Sequence, residues 1–71
     1  MKIEPLIKMA NDIGNFFNAE SNKEIAAEGI TKHILRSWDP RMRRDIIAYC
    51  KQDGSALSEL VRTAVSRLDQ G

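Results

Sequence analysis

A small all-α four-helix bundle, largely antiparallel, is the fold this sequence predicts. Apolar residues recur at the three- and four-residue spacing of an amphipathic helix in four successive stretches. Helix-start and helix-stop residues separate these stretches, and nowhere do apolar and polar residues alternate with the period of two that a half-buried strand requires. The predicted helices cover about residues 4–17, 22–36, 40–52 and 56–68, within one unit spanning 1–71 that contains no repeat, linker or low-complexity segment.

The first helix tolerates Pro5 because a proline in the opening turn removes no intrahelical hydrogen bond. Leu6, Ala10, Ile13 and Phe17 form its stripe, widened by Met9 and Phe16 on one side and by Ile3 and Ile7 on the other. That arc is wider than one packing partner needs. Either two neighbouring helices cover it, or the Met9/Phe16 flank stays exposed for another protein or for a second copy of the chain. Gly14 lowers helix propensity by about 1 kcal/mol relative to Ala, which close approach of a second helix would explain. The second helix opens on a predicted capping box, Ser21 with Glu24. Its arc contains Ile25, Ala26, Gly29, Ile30 and Ile34, with His33 in the middle and Leu35 pointing away.

Asp39 followed by Pro40 starts the third helix, as an N-cap acceptor and a proline at the first helical position. Met42, Ile46, Tyr49 and Cys50 form its stripe, with Ile47 on the flank, and Gly54 supplies a left-handed stop after Asp53. The fourth helix has Ser55 as its expected N-cap. Leu57, Leu60, Val61, Ala64, Val65 and Leu68 lie on one side of it, and Glu59, Arg62, Thr63 and Ser66 on the other.

Size and charge exclude several functions. A chain of 71 residues buries only about 60% of its unfolded surface, so a staple, a metal or a partner is expected to support it. Cys50 is the one cysteine, which rules out an intrachain disulfide, and one Cys with one His falls short of a four-ligand zinc site. The formal net charge is +1, whereas a nucleic-acid-binding domain is normally strongly basic. No apolar run reaches membrane-spanning length and no signal-peptide pattern opens the chain, so a soluble, cytoplasmic protein is expected.

Catalysis has little to stand on. Cys50 and His33 both lie on apolar faces with no third group to orient them, and no glycine-rich phosphate loop or paired carboxylates appear. No cofactor is expected. His33 reads as a core residue whose ring finds an acceptor in Asp39 or in a carbonyl near Trp38.

Chemistry concentrates in the segment His33–Arg44, which holds the only His, the only Trp and four of the six arginines. Arg41, Arg43 and Arg44 fall at the positive end of the third helix, where a cation is unfavourable by about 0.3–1 kcal/mol. They form either a solvated face or a surface that accepts anions from a partner. Arg43 lies at the edge of the apolar arc and is expected to be partly buried with a defined acceptor. Arg41 and Arg44 face outward, and Arg36 can join them. Trp38 is placed to plug the open end of the bundle or to stack on an arginine. His33, Trp38, Asp39, Pro40, Met42 and Arg43 then form the joint between helices two and three. Arg36, Arg41, Arg44, Met9 and Phe16 remain as candidate partner contacts. An alternative is a small nucleic-acid-binding module that uses helix three for recognition, against which the near-neutral charge weighs.

Several of these residues also carry a family resemblance. Met9-Ala10-Asn11 with Ile13 and Phe16-Phe17, then His33, then Trp38-Asp39-Pro40-Arg41-Met42-Arg43, then Leu57, Leu60-Val61 and Ala64-Val65 resemble the delta subunit of cytoplasmic, NAD-dependent, molybdenum-containing formate dehydrogenases. The resemblance runs from about Leu6 to Leu68. It implies a non-catalytic accessory subunit that binds no cofactor itself, because in that family the molybdopterin, iron–sulfur, flavin and NAD sites belong to other subunits. The implied partners are those formate dehydrogenase subunits, foremost the large molybdenum subunit. It leaves Asn11 with a capping or contact role.

Overall fold

Helix signals and helix breaks set the element order. A computed structural model describes residues 2–70; Met1 and Gly71, the ends of the expected 1–71 unit, lie outside the described residues. The helices are α1 (Ile3–Phe17), α2 (Lys23–Ser37), α3 (Pro40–Gln52) and α4 (Glu59–Gln70), and the described residues contain no strand. The result is a small all-α four-helix bundle.

Burial of the helical stripes holds the helices together. Ile30, Ile34, Ile46, Val61 and Val65 are fully enclosed, and Leu6, Ala10, Trp38, Leu57, Ala64 and Leu68 complete the core. Each large aliphatic side chain buried this way contributes about 1.5–3 kcal/mol. The exposed pairs Lys8–Asp12, Lys32–Glu28 and Lys51–Asp69 contribute at most about 1 kcal/mol each. The core decides stability, and the ion pairs trim it.

α2 and α4 share the most extensive packing. Ala26, Ala27 and Ala64 are all buried, and their small side chains let the backbones approach. The Thr31 hydroxyl reaches both the Ala27 carbonyl (2.9 Å) and the Ala64 carbonyl across the interface (3.1 Å). Arg67 of α4 pairs with Glu24 of α2, so contacts run in opposite directions along the two helices and the pair is antiparallel. Between α1 and α4, Asn11 meets Ser58 and Gly14 meets Val61, so these contacts advance together. Gly14 explains itself there: a Cβ would overlap the buried Val61 Cγ2, the close approach that the sequence suggested.

Two expected caps are corrected. Asn22, not Ser21, caps α2: its Oδ1 accepts from the amides of Glu24 (3.0 Å) and Ile25 (3.3 Å). Glu24 is then too early in the helix to complete a capping box and pairs with Arg67 instead. α4 begins at Glu59 rather than 56, and Ser58, not Ser55, takes the capping position, its Oγ accepting from the Val61 amide at 3.3 Å. The reason is competition for backbone groups. The Tyr49 hydroxyl accepts from the Ala56 amide (3.0 Å), the Asn11 amide donates to the Ala56 carbonyl (2.9 Å), and the Leu57 amide closes a turn on Gly54 (3.1 Å). Ser55 is drawn the other way, its hydroxyl donating to Asp53 (2.9 Å). Gly54 has the expected left-handed backbone, with φ of 69°.

Candidate partner interface

The α2–α3 corner is built by the segment that concentrates the unusual residues. Asp39 caps α3, accepting from the Met42 amide at 3.0 Å, and Pro40 occupies the first helical turn. Trp38 turns inward and is 4% exposed, plugging the core. Its backbone carbonyl accepts from the Arg43 guanidinium at 2.6 Å, so Arg43 is half-buried with a defined acceptor. Met42 is half-buried against the core.

His33 departs from its expected role. It is half-buried rather than enclosed, and no hydrogen bond among the described residues involves its ring. Both expected acceptors are engaged elsewhere, the Asp39 carboxylate with the Met42 amide and the Trp38 carbonyl with Arg43. A ring that keeps contact with water needs no protein partner.

The remaining arginines of the corner, Arg36, Arg41 and Arg44, are exposed, and none has an acceptor among the described residues. Elsewhere most of the cations are engaged. Lys8, Lys32, Lys51 and Arg67 pair with carboxylates, while Lys23 and Arg62 reach the carbonyls of Asn18 and Gly54. Three cations without internal partners therefore gather at this corner, Arg41 and Arg44 at the helix end that least favours them and Arg36 in the last turn of α2, where a cation is favoured.

Apolar exposure forms a second feature. On α1, Met9 is 41% and Phe16 79% exposed, and the Phe16 ring meets Phe17 edge-on with centroids 5.2 Å apart. Ile25, expected in the buried arc of α2, is instead 57% exposed. Phe17 lies against Gly29, where a Cβ would come within 2.5 Å of its ring. With Phe17 level with Gly29, Ile25 lies one turn beyond the end of α1, and nothing covers it. Leu35 is exposed as expected.

Two clefts complete the surface. One of about 470 Å³ lies between α1 and α4, with Asn15, Asn18, Ser58 and Thr63 among its polar walls and Gly14 at its base. Its residues come from three helices, and no local pattern in the chain announces it. The other, of about 270 Å³, has Cys50 beside Ile47, Lys51 and Asp69, and His33 does not line it. Among the described residues no three of His, Cys, Asp and Glu come together as a metal-ligand set. No described helix is long and apolar enough to cross a membrane. Glu28, on the exposed face of α2, has its carboxyl held below the ordinary value by the hydrogen bond and then the charge of Lys32; desolvation opposes this and Arg67 adds to it.

Asn11 acquires a definite role. Its amide donates to the Ala56 carbonyl and its Oδ1 accepts from the Ser58 amide at 3.1 Å, which ties α1 to the loop that launches α4. Asn11, His33 and the Trp38–Arg43 string all fall within residues 5–65, which match the sequence model of the NADH-dependent formate dehydrogenase delta subunit family, FdsD. The chain belongs to this family. No curated protein and no solved structure is similar enough to match. For a delta subunit of a formate dehydrogenase, the corner of unengaged arginines and the exposed apolar flank are the features that intramolecular packing leaves unaccounted for.

Proposed function

We propose that this delta subunit is a non-catalytic accessory protein that stabilises or helps assemble a cytoplasmic, NAD-dependent, molybdenum-containing formate dehydrogenase. Its docking target is the large molybdenum subunit. Family membership over residues 5–65 carries this reading. The surface supports it: Arg36, Arg41 and Arg44 are exposed without acceptors, and Met9 and Phe16 expose apolar area on α1. Guanidinium groups in that state suit carboxylates on another protein, which they grip in bidentate fashion.

Expression of the tagged chain beside the formate dehydrogenase subunits tests the proposal. The large subunit is expected to co-purify, and Arg41→Glu with Arg44→Glu to weaken that association at least tenfold with helicity unchanged. Failure of every formate dehydrogenase subunit to associate in native extracts refutes it.

A further inference from the structure

The exposed apolar residues and Arg36 belong to one groove. α1 and α2 are joined by a short loop and run antiparallel, with Phe17 level with Gly29. Both helices rise about 1.5 Å per residue, so eight residues back along α1 and eight forward along α2 bring Met9 level with Ser37, next to Arg36. On α2, Ile25 and Arg36 stand four residues before and seven after Gly29, and so share its edge of the helix. On α1, Met9 and Phe16 are seven residues apart on the edge beyond Phe17 and the half-buried Ile13. α4 covers the opposite edge of α2 through Ala27 and Thr31. The outer groove between α1 and α2 is therefore open. It is apolar at the loop end, with Phe16 and Ile25, and cationic at the other end, with Arg36 beside Met9. Ile25 and Arg36 are about 16 Å apart along the helix axis, the length of three helical turns.

We infer that this groove receives one amphipathic helical segment of another protein chain, whose apolar residues cover Phe16 and Ile25 and whose carboxylates meet Arg36. The inference rests on the reading of the chain as a formate dehydrogenase subunit. Apolar anchors at one end with a charge at the other are what a helix lying in a groove recognises. A second copy that paired its own groove with this one is a poor occupant because the carboxylates bordering the groove are already engaged. Asp12 pairs with Lys8, Glu28 pairs with Lys32, and Glu20 accepts from the Asn22 amide. The same groove on a second copy therefore has no free anion to offer Arg36, and a nucleic acid has no use for the apolar end.

The test places a photo-cross-linking phenylalanine derivative at position 16, and separately at the exposed position 66 on the α3–α4 face, in the full chain expressed with the formate dehydrogenase subunits. Position 16 is expected to cross-link to one of those subunits, and position 66 to do so far less. Arg36→Glu is expected to cut the position 16 yield and the affinity about tenfold, with Arg36→Lys retaining part of both. Co-purification without cross-linking at 16 overturns the groove assignment while leaving the subunit reading intact; a cross-link from 16 to a second copy of the chain also overturns it. Loss of co-purification in the unsubstituted chain removes the subunit reading, and the groove assignment falls with it.

Discussion

Asn11→Ala is expected to destabilise the isolated chain by about 0.5 kcal/mol. The side chain makes two tertiary hydrogen bonds, donating to the Ala56 carbonyl at 2.9 Å and accepting from the Ser58 amide at 3.1 Å. A net contribution of about 0.5–1.5 kcal/mol per bond is usual, and partial exposure places these two at the low end. Alanine returns roughly 0.5 kcal/mol through its higher helix propensity. For a chain of this size, about 0.5 kcal/mol corresponds to a fall in Tm of about 2–4 °C. Urea unfolding followed by the fluorescence of Trp38, which is buried in the core, gives the difference directly. Asn11→Asp sharpens the test, because it keeps the acceptor for Ser58 but turns a carboxylate oxygen toward the Ala56 carbonyl. It should be no more stable than the alanine variant by more than a few tenths of a kcal/mol. Stability of Asn11→Ala equal to that of the parent chain, with binding to formate dehydrogenase lost, would move Asn11 from the fold to the interface and refute the assignment.

The two helical glycines should respond differently to alanine. At Gly14 the added methyl meets Val61, fully buried and restricted at χ1, so a net loss of about 1–2 kcal/mol is expected in denaturant unfolding despite the propensity gain. At Gly29 it meets the ring of Phe17, which is only half-buried and not enclosed as Val61 is, so the loss should be smaller. A pH dependence follows from Glu28, whose folded-state carboxyl titrates below the ordinary 4.5 through Lys32. A lowered folded-state value contributes stability above the unfolded value that is lost as pH falls through the folded one. Glu28→Gln should therefore flatten the decline of stability below pH 4.5, measured by thermal unfolding across acid buffers.

Four helices and most of their stripes were legible in the chain because each rests on local signals. Asp39-Pro40 and Gly54 act through their own dihedrals and through amides within three or four residues, and they fall where expected. The partial burial of Arg43 and the outward Arg41 and Arg44 follow from helical phase within one short segment, whereas the inward turn of Trp38 and its carbonyl as the acceptor of Arg43 were settled by the fold. Misreadings arose where a distant residue outcompeted a local cue. Ser55 has the right type and spacing to cap a helix, but Tyr49 and Asn11 capture the backbone groups around it. Ser21 with Glu24 satisfies the capping-box pattern, yet Asn22 is better placed and Arg67, on another helix, takes the carboxylate.

Exposure of the interface residues divides in the same way. Periodicity places Met9 and Phe16 on the edge of the first helix and Ile25 on an apolar arc. It cannot say that α1 ends one turn short of Ile25, because helix length and inter-helix register are set by the packing of Phe17 on Gly29. The chain by itself determined the number of helices, their order, the joint at Trp38–Arg43 and the concentration of arginines beside it. Tertiary structure decided the Asn11 tie to α4, the pairing of Glu24 with Arg67 and the seating of Phe17 on Gly29. Those contacts join residues far apart in sequence, and only the mutual burial of whole helices fixes the register in which they meet.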